Sequence, residues 1–77
     1  MIEIVVPILY EDMDSATLKW IKKEGDKIES GDSLYCLETD KANFEVEAED
    51  DGVLVEMRVK NHDLVNVLDI IGYIKPS

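Results

Sequence analysis

The run Glu38–Thr39–Asp40–Lys41–Ala42 is where this chain could present a reactive group. A lysine in a tight turn between two strands points away from the body of the fold and offers a primary amine. In neutral water that amine is an ammonium and a poor nucleophile, so Lys41 reads as a target of modification, not a catalyst. Other chemistries find few candidates. His62 is the one histidine, set between Asn61 and Asp63 in a turn-forming stretch, and nothing in the sequence brings it to Cys36, the one cysteine. One Cys and one His do not make a zinc site. The carboxylates Glu45, Glu47, Glu49, Asp50 and Asp51 lack calcium-loop spacing and fit the solvated face of a strand. No glycine-rich phosphate loop is present. No catalytic and no metal-binding residue is expected.

The elements that must position Lys41 are short and β-rich. Turn signals separate expected strands at Ile2–Val6, Thr17–Ile21, Ser33–Leu37, Asn43–Ala48, Val53–Val59 and Ile70–Ile74. Asn43–Ala48 alternates cleanly, with Phe44, Val46 and Ala48 inward and Glu45, Glu47 and Glu49 toward water. Turns are expected at Glu24–Asp26, Ser30–Asp32, Thr39–Lys41 and Asp50–Gly52, and a polar surface loop at Glu11–Ser15. A shift of 37 positions pairs Leu18 with Val55, Trp20 with Met57, Asp26 with Asp63, Asp32 with Asp69 and Leu34 with Ile71. Two similar β-halves related by a pseudo-twofold axis follow, with Glu38–Asn43 joining them at one end and the chain termini at the other. The fold class is all-β, a sandwich or barrel.

The chain has 77 residues, a single-domain length, so residues 1–77 are read as one domain. Stability of about 4–12 kcal/mol is ordinary for that size. Eighteen acidic against eight basic side chains give a net charge of −10. That excess disfavours nucleic acid and anionic membranes and suits a basic patch on a protein partner. One cysteine forms no internal disulfide, which mildly favours a reducing compartment. No apolar run approaches the roughly 18 residues of a membrane span, and no signal peptide is evident. The expectation is a soluble, intracellular module.

Asp40–Lys41–Ala42, extended by Glu38 and Thr39, resembles the modification turn of the lipoyl domains of 2-oxo acid dehydrogenase complexes. Lys22–Ile28, Gly31–Asp32, Trp20, Val46–Ala48, Asp51–Leu54 and the Pro7, Leu9, Met13 spacing fall in the same order as in that family. The resemblance implies a flattened barrel of two antiparallel sheets with pseudo-twofold symmetry, a barrel-sandwich hybrid. It also implies lipoate joined to Lys41 as N6-lipoyllysine, with Asp40 and Ala42 helping the attaching enzyme recognise the turn. The implied role is that of a non-catalytic acyl carrier, part of a dihydrolipoyl acyltransferase. The implied partners are the lipoate-attaching enzyme, a thiamin-dependent decarboxylase, the acyltransferase core and dihydrolipoyl dehydrogenase. The isolated domain is expected to be a monomer, working in a bacterial cytoplasm or the mitochondrial matrix. Biotinyl domains, which share the fold, typically flank their lysine with methionines, where this chain has Asp40 and Ala42. A biotinyl carrier and an unmodified interaction module of the same fold remain the alternatives. His62 and Leu68 stand where the family usually has turn glycines, across the repeat from Gly25 and Gly31.

Overall fold

The computed structural model describes residues 1–77 and contains strands but no helix. The strands are β1 (Ile2–Val5), β2 (Ser15–Trp20), β3 (Lys27–Ile28), β4 (Ser33–Glu38), β5 (Asn43–Glu47), β6 (Gly52–Met57), β7 (Leu64–Asn66) and β8 (Ile70–Pro76). They form two four-stranded sheets, ordered β1-β8-β6-β3 and β5-β4-β2-β7, with every neighbouring pair antiparallel. Alternation drives the packing. Leu18 and Leu37 from one sheet and Ile28, Leu54 and Ile71 from the other are fully buried in a shared core, each contributing about 1.5–3 kcal/mol of hydrophobic stabilisation. Tyr35 is buried among them with its hydroxyl unpartnered, and burial pushes its phenol up to about 12.

The pseudo-twofold relation is visible in the turn hydrogen bonds. Asp26 accepts from the Lys23 amide as Asp63 does from Lys60, each at 2.8 Å. Asp32 accepts from Glu29 at 2.9 Å as Asp69 does from Asn66 at 2.8 Å. Gly25 and Gly31 have φ of 95° and 94°, and their counterparts His62 and Leu68 have 73° and 69°. The paired aspartates therefore cap four turns of one design, and the turn holds whether or not glycine occupies it.

Leu68 is 64% exposed, so its side chain gains little from that position. A leucine in the left-handed region costs about 1–2 kcal/mol, and glycine returns part of the gain as unfolded-state entropy. Leu68→Gly is expected to be neutral to about 1 kcal/mol more stable in urea unfolding. A loss above about 2 kcal/mol would show that the leucine is packed after all.

Several expectations need correction. Leu18 corresponds to Leu54, not Val55: the amide of Leu18 donates to Asp63 and that of Leu54 to Asp26, each at 3.0 Å. A bulge between Leu54 and Glu56 inserts Val55, and the shift becomes 37 only beyond it. Two strands, β3 and β7, went unexpected because two or three residues show no period. Glu11–Ser15 is not wholly a surface loop, since Met13 is buried and Ser15 begins β2. Gly52 is no turn residue either. It opens β6, buried against the backbone carbonyl of Lys75, where a side chain has no room.

The fold carries the β4–β5 turn far from the termini. Asp51 accepts from the amides of Ser30, at 2.8 Å, and Ser77, at 3.4 Å, placing the C-terminus beside the start of β4. β1 and β8 pair at Ile2 and Ile74, so the N-terminus lies there too. From that end β4 runs from Ser33 to Glu38, roughly 17 Å at strand rise, before the chain turns at Lys41.

Candidate functional site

β4 and β5 stay in register up to Glu38 and Asn43, leaving Thr39–Ala42 as the turn. Asp40 and Lys41 both keep negative φ, so this is not the primed turn that two-residue hairpins favour. The Thr39 side chain makes up the difference. Its Oγ1 accepts from the amides of Lys41, at 3.2 Å, and Ala42, at 3.0 Å. Its hydroxyl donates to the Ala42 carbonyl at 2.6 Å, and its amide donates to the same oxygen at 3.1 Å. All three hydrogen-bonding positions of one hydroxyl are thus spent on the turn.

Asp40, Lys41 and Ala42 are exposed, and none of the three ion pairs involves them. Glu38, just before the turn, pairs instead with Lys19 at 3.4 Å. Beside Lys41 runs an open groove of about 510 Å³, with Asp12, Asp14, Glu38 and Asp40 on its walls. An amine on a rigid tip, with carboxylates around it, offers an acylating enzyme a fixed nucleophile and a surface that attracts a basic patch. Amide attachment asks for one accessible primary amine and no further donor set, and Lys41 meets that demand.

The structure also brings to Lys41 a residue the sequence did not single out. The Tyr10 ring, from the loop between β1 and β2, lies 5.0 Å from the lysine Nζ and stacks on Phe44 with centroids 6.0 Å apart. The available signal was a lone aromatic next to a polar segment, which has no periodicity to read. Cys36 and His62 are kept to other work: Cys36 is half-buried on β4 opposite Lys19 and Glu45, and His62 forms a turn.

The family model described as "Biotin-requiring enzyme", the biotin–lipoyl domain, matches residues 2–74. The chain belongs to the biotin–lipoyl domain family. Its relatives fall on the lipoyl side. It is 47% identical over 75 residues to the dihydrolipoyllysine-residue succinyltransferase component of the 2-oxoglutarate dehydrogenase complex of Bacillus subtilis, covering 96% of this chain and 18% of the relative. It is 48% identical over 59 residues to the pyruvate dehydrogenase E1 component subunit beta of Rhizobium meliloti, covering 75% of this chain and 13% of the relative. The solution structure of the lipoyl domain of the 2-oxoglutarate dehydrogenase complex from Azotobacter vinelandii superimposes with a TM-score of 0.78 at 32% identity, covering 97% of this chain and 96% of that one. The chain therefore spans under a fifth of the length of these curated relatives, and matches a lipoyl domain end to end. Two antiparallel sheets of four strands agree with that fold, and the domain is a lipoyl carrier.

Thr39 gives the lipoyl domain a testable joint. Thr39→Val keeps the shape and removes the hydroxyl, leaving two turn amides without their acceptor. The expected loss is about 1 kcal/mol in urea unfolding, together with slower lipoyl attachment as the turn loosens. Thr39→Ser should restore both. Attachment at the parent rate by Thr39→Val would mean that the hydroxyl does not set the turn.

Proposed function

We propose that Lys41 is the residue that carries lipoate, as N6-lipoyllysine, with Asp40 and Ala42 forming the surface the attaching enzyme reads. The observation that supports it best is the exposed Lys41 on a hydroxyl-braced turn at the end remote from both termini. Attachment needs Nζ to lose a proton and attack an activated lipoyl carboxyl carbon. The C–N bond forms, the activating group leaves with its electron pair, and the side chain goes from +1 to neutral. When bound, the lipoyl group supplies a dithiolane that accepts an acyl group and two electrons.

The residues of the domain do the positioning. Thr39 fixes the turn, and the strands hold Lys41 away from the ends through which a longer polypeptide would continue. A tether of this kind raises the effective concentration of the carrier at each partner active site. The proposed partners are the thiamin-dependent decarboxylase, the acyltransferase core and the dihydrolipoyl dehydrogenase of a 2-oxo acid dehydrogenase complex. The acidic groove favours basic patches on them. Relatives of this chain include both a succinyltransferase component and a pyruvate dehydrogenase E1 subunit, and the match that covers more of this chain, 96% against 75%, supports an acyltransferase. The relatives are bacterial, which supports a bacterial cytoplasm as the place of work. No helix is long and apolar enough to cross a membrane.

Intact mass of the protein produced with a lipoate-attaching enzyme tests the proposal. One lipoyl increment, mapped by peptide sequencing to Lys41, is the expected result. A biotinyl increment, no increment, or a lipoyl group on another lysine would each overturn it.

A further inference from the structure

The two halves of this fold match turn for turn, yet one connection breaks the symmetry. Val6 exchanges hydrogen bonds with Asp69 and Leu68 as Ala48 does with Asp32 and Gly31, so these two residues are counterparts. From Ala48 the chain reaches β6 through Glu49–Asp51, but from Val6 it reaches β2 only through Pro7–Asp14. The additional residues project from the end of the domain that bears Lys41. They are pinned there by Met13, which is buried, while its amide donates to the Tyr10 carbonyl at 3.3 Å and its sulfur accepts from the Leu9 amide at 3.4 Å. This anchor fixes the neighbouring Tyr10, half-buried against the core, so that one face of its ring rests on Phe44 and the ring lies under the Lys41 ammonium.

A cation over an aromatic face is attracted by the ring's quadrupole, and a neutral amide nitrogen is not. Phe44 lies three residues beyond Lys41 on the strand leaving the turn, so the platform and the lysine share one rigid hairpin. Lys41 makes no ion pair with the carboxylates of the groove, and Glu38 is engaged with Lys19, so the ring is the contact the structure gives the ammonium.

We propose that Tyr10, braced by Phe44, is a positioning residue for Lys41: it holds the charged side chain over its ring before acylation and releases it once the charge is gone. The proposal rests on Lys41 being the attachment site. Holding the unmodified side chain removes rotamer freedom that the attaching enzyme would otherwise have to restrict. Losing the charge on acylation then frees the finished arm to swing, without any change in the fold. The same contact serves two opposite needs, and the switch between them is the amide bond itself.

NMR of the unmodified domain tests the contact without any enzyme. The Lys41 ε-methylene protons are expected upfield of those of exposed Lys23 and Lys75, shielded by the Tyr10 ring. The displacement should persist in Tyr10→Phe, vanish in Tyr10→Leu, and collapse when Nζ is acylated. Kinetically, Tyr10→Leu should raise the attaching enzyme's KM for the domain about two- to fivefold, the equivalent of an exposed cation–π contact, with kcat unchanged and Tyr10→Phe restoring the parent value. A wild-type domain that is lipoylated at Lys41 but shows no displacement overturns the positioning role alone. So does a displacement that survives acylation, or a Tyr10→Leu variant with the parent KM. A domain that shows the displacement but takes no lipoyl group overturns the attachment site, and the role of Tyr10 with it. The wild-type spectrum decides even if Tyr10→Leu fails to fold.

Discussion

Lys41→Arg is expected to fold as the parent does and to carry no lipoyl group at all. Lys41 is exposed and makes no ion pair, and surface changes of this kind usually stay within about ±0.5 kcal/mol. Arginine keeps the positive charge and can still lie over the Tyr10 ring, so the electrostatics of the turn are preserved. What it lacks is an acylable amine, because the guanidinium stays protonated and its nitrogens are poor nucleophiles. Fold and charge are thereby held constant while the chemistry is removed. Intact mass after production with the attaching enzyme, beside a thermal melt, gives both readouts. A lipoyl increment on this variant would move the site to one of the other six lysines, and a large fall in melting temperature would make Lys41 structural. Lys41→Ala should behave alike in mass and differ from arginine only in losing the contact with Tyr10.

Gly72→Ala is expected to cost about 3 kcal/mol, a large share of what a domain of this size possesses. Gly72 is in β8, hydrogen-bonded between β1 at Ile4 and the bulged strand β6 at Met57. A β-carbon there would lie 2.5 Å from the Glu56 carbonyl oxygen and 3.5 Å from both Ile4 Cδ1 and Trp20 Cη2. The oxygen belongs to the backbone of the bulge and cannot rotate aside, so β6 must shift. Trp20 crosses from the opposite sheet to this point, its indole N–H donating to Val59 at 3.0 Å and its ring meeting Tyr35 edge-on at 5.5 Å. The shift should therefore appear in tryptophan fluorescence as well as in the urea midpoint. A loss below about 1 kcal/mol would mean the bulge gives way freely.

The features legible in the sequence are those written in periods or in turn chemistry. Phe44, Val46 and Ala48 do alternate inward against Glu45, Glu47 and Glu49, because the side chains of a strand point to opposite faces by geometry alone. Asp26, Asp32, Asp63 and Asp69 could be paired across the repeat because each accepts from an amide three residues back, a local bond that needs no distant partner. The junction at Glu38–Asn43 followed from the repeat, and its Lys41 turn was legible from its residue types.

Tertiary structure decided everything that depends on what lies opposite. β3 and β7 are strands only because β6 and β2 offer them a partner. The bulge at Val55 and the tight seats of Gly52, against Lys75 and Ile74, and of Gly72, against Glu56, Ile4 and Trp20, arise where distant parts of the chain meet, and no local pattern encodes those meetings. Met13 is buried within a polar run because the core reaches out to it. Tyr10 meets Lys41 across 31 positions of sequence only because the loop that Met13 anchors ends over the β4–β5 turn. Local sequence specifies dihedral angles and the side of a strand that faces inward. Which groups then touch is settled by packing, since side chains far apart in the chain meet only when the two sheets close on their shared core.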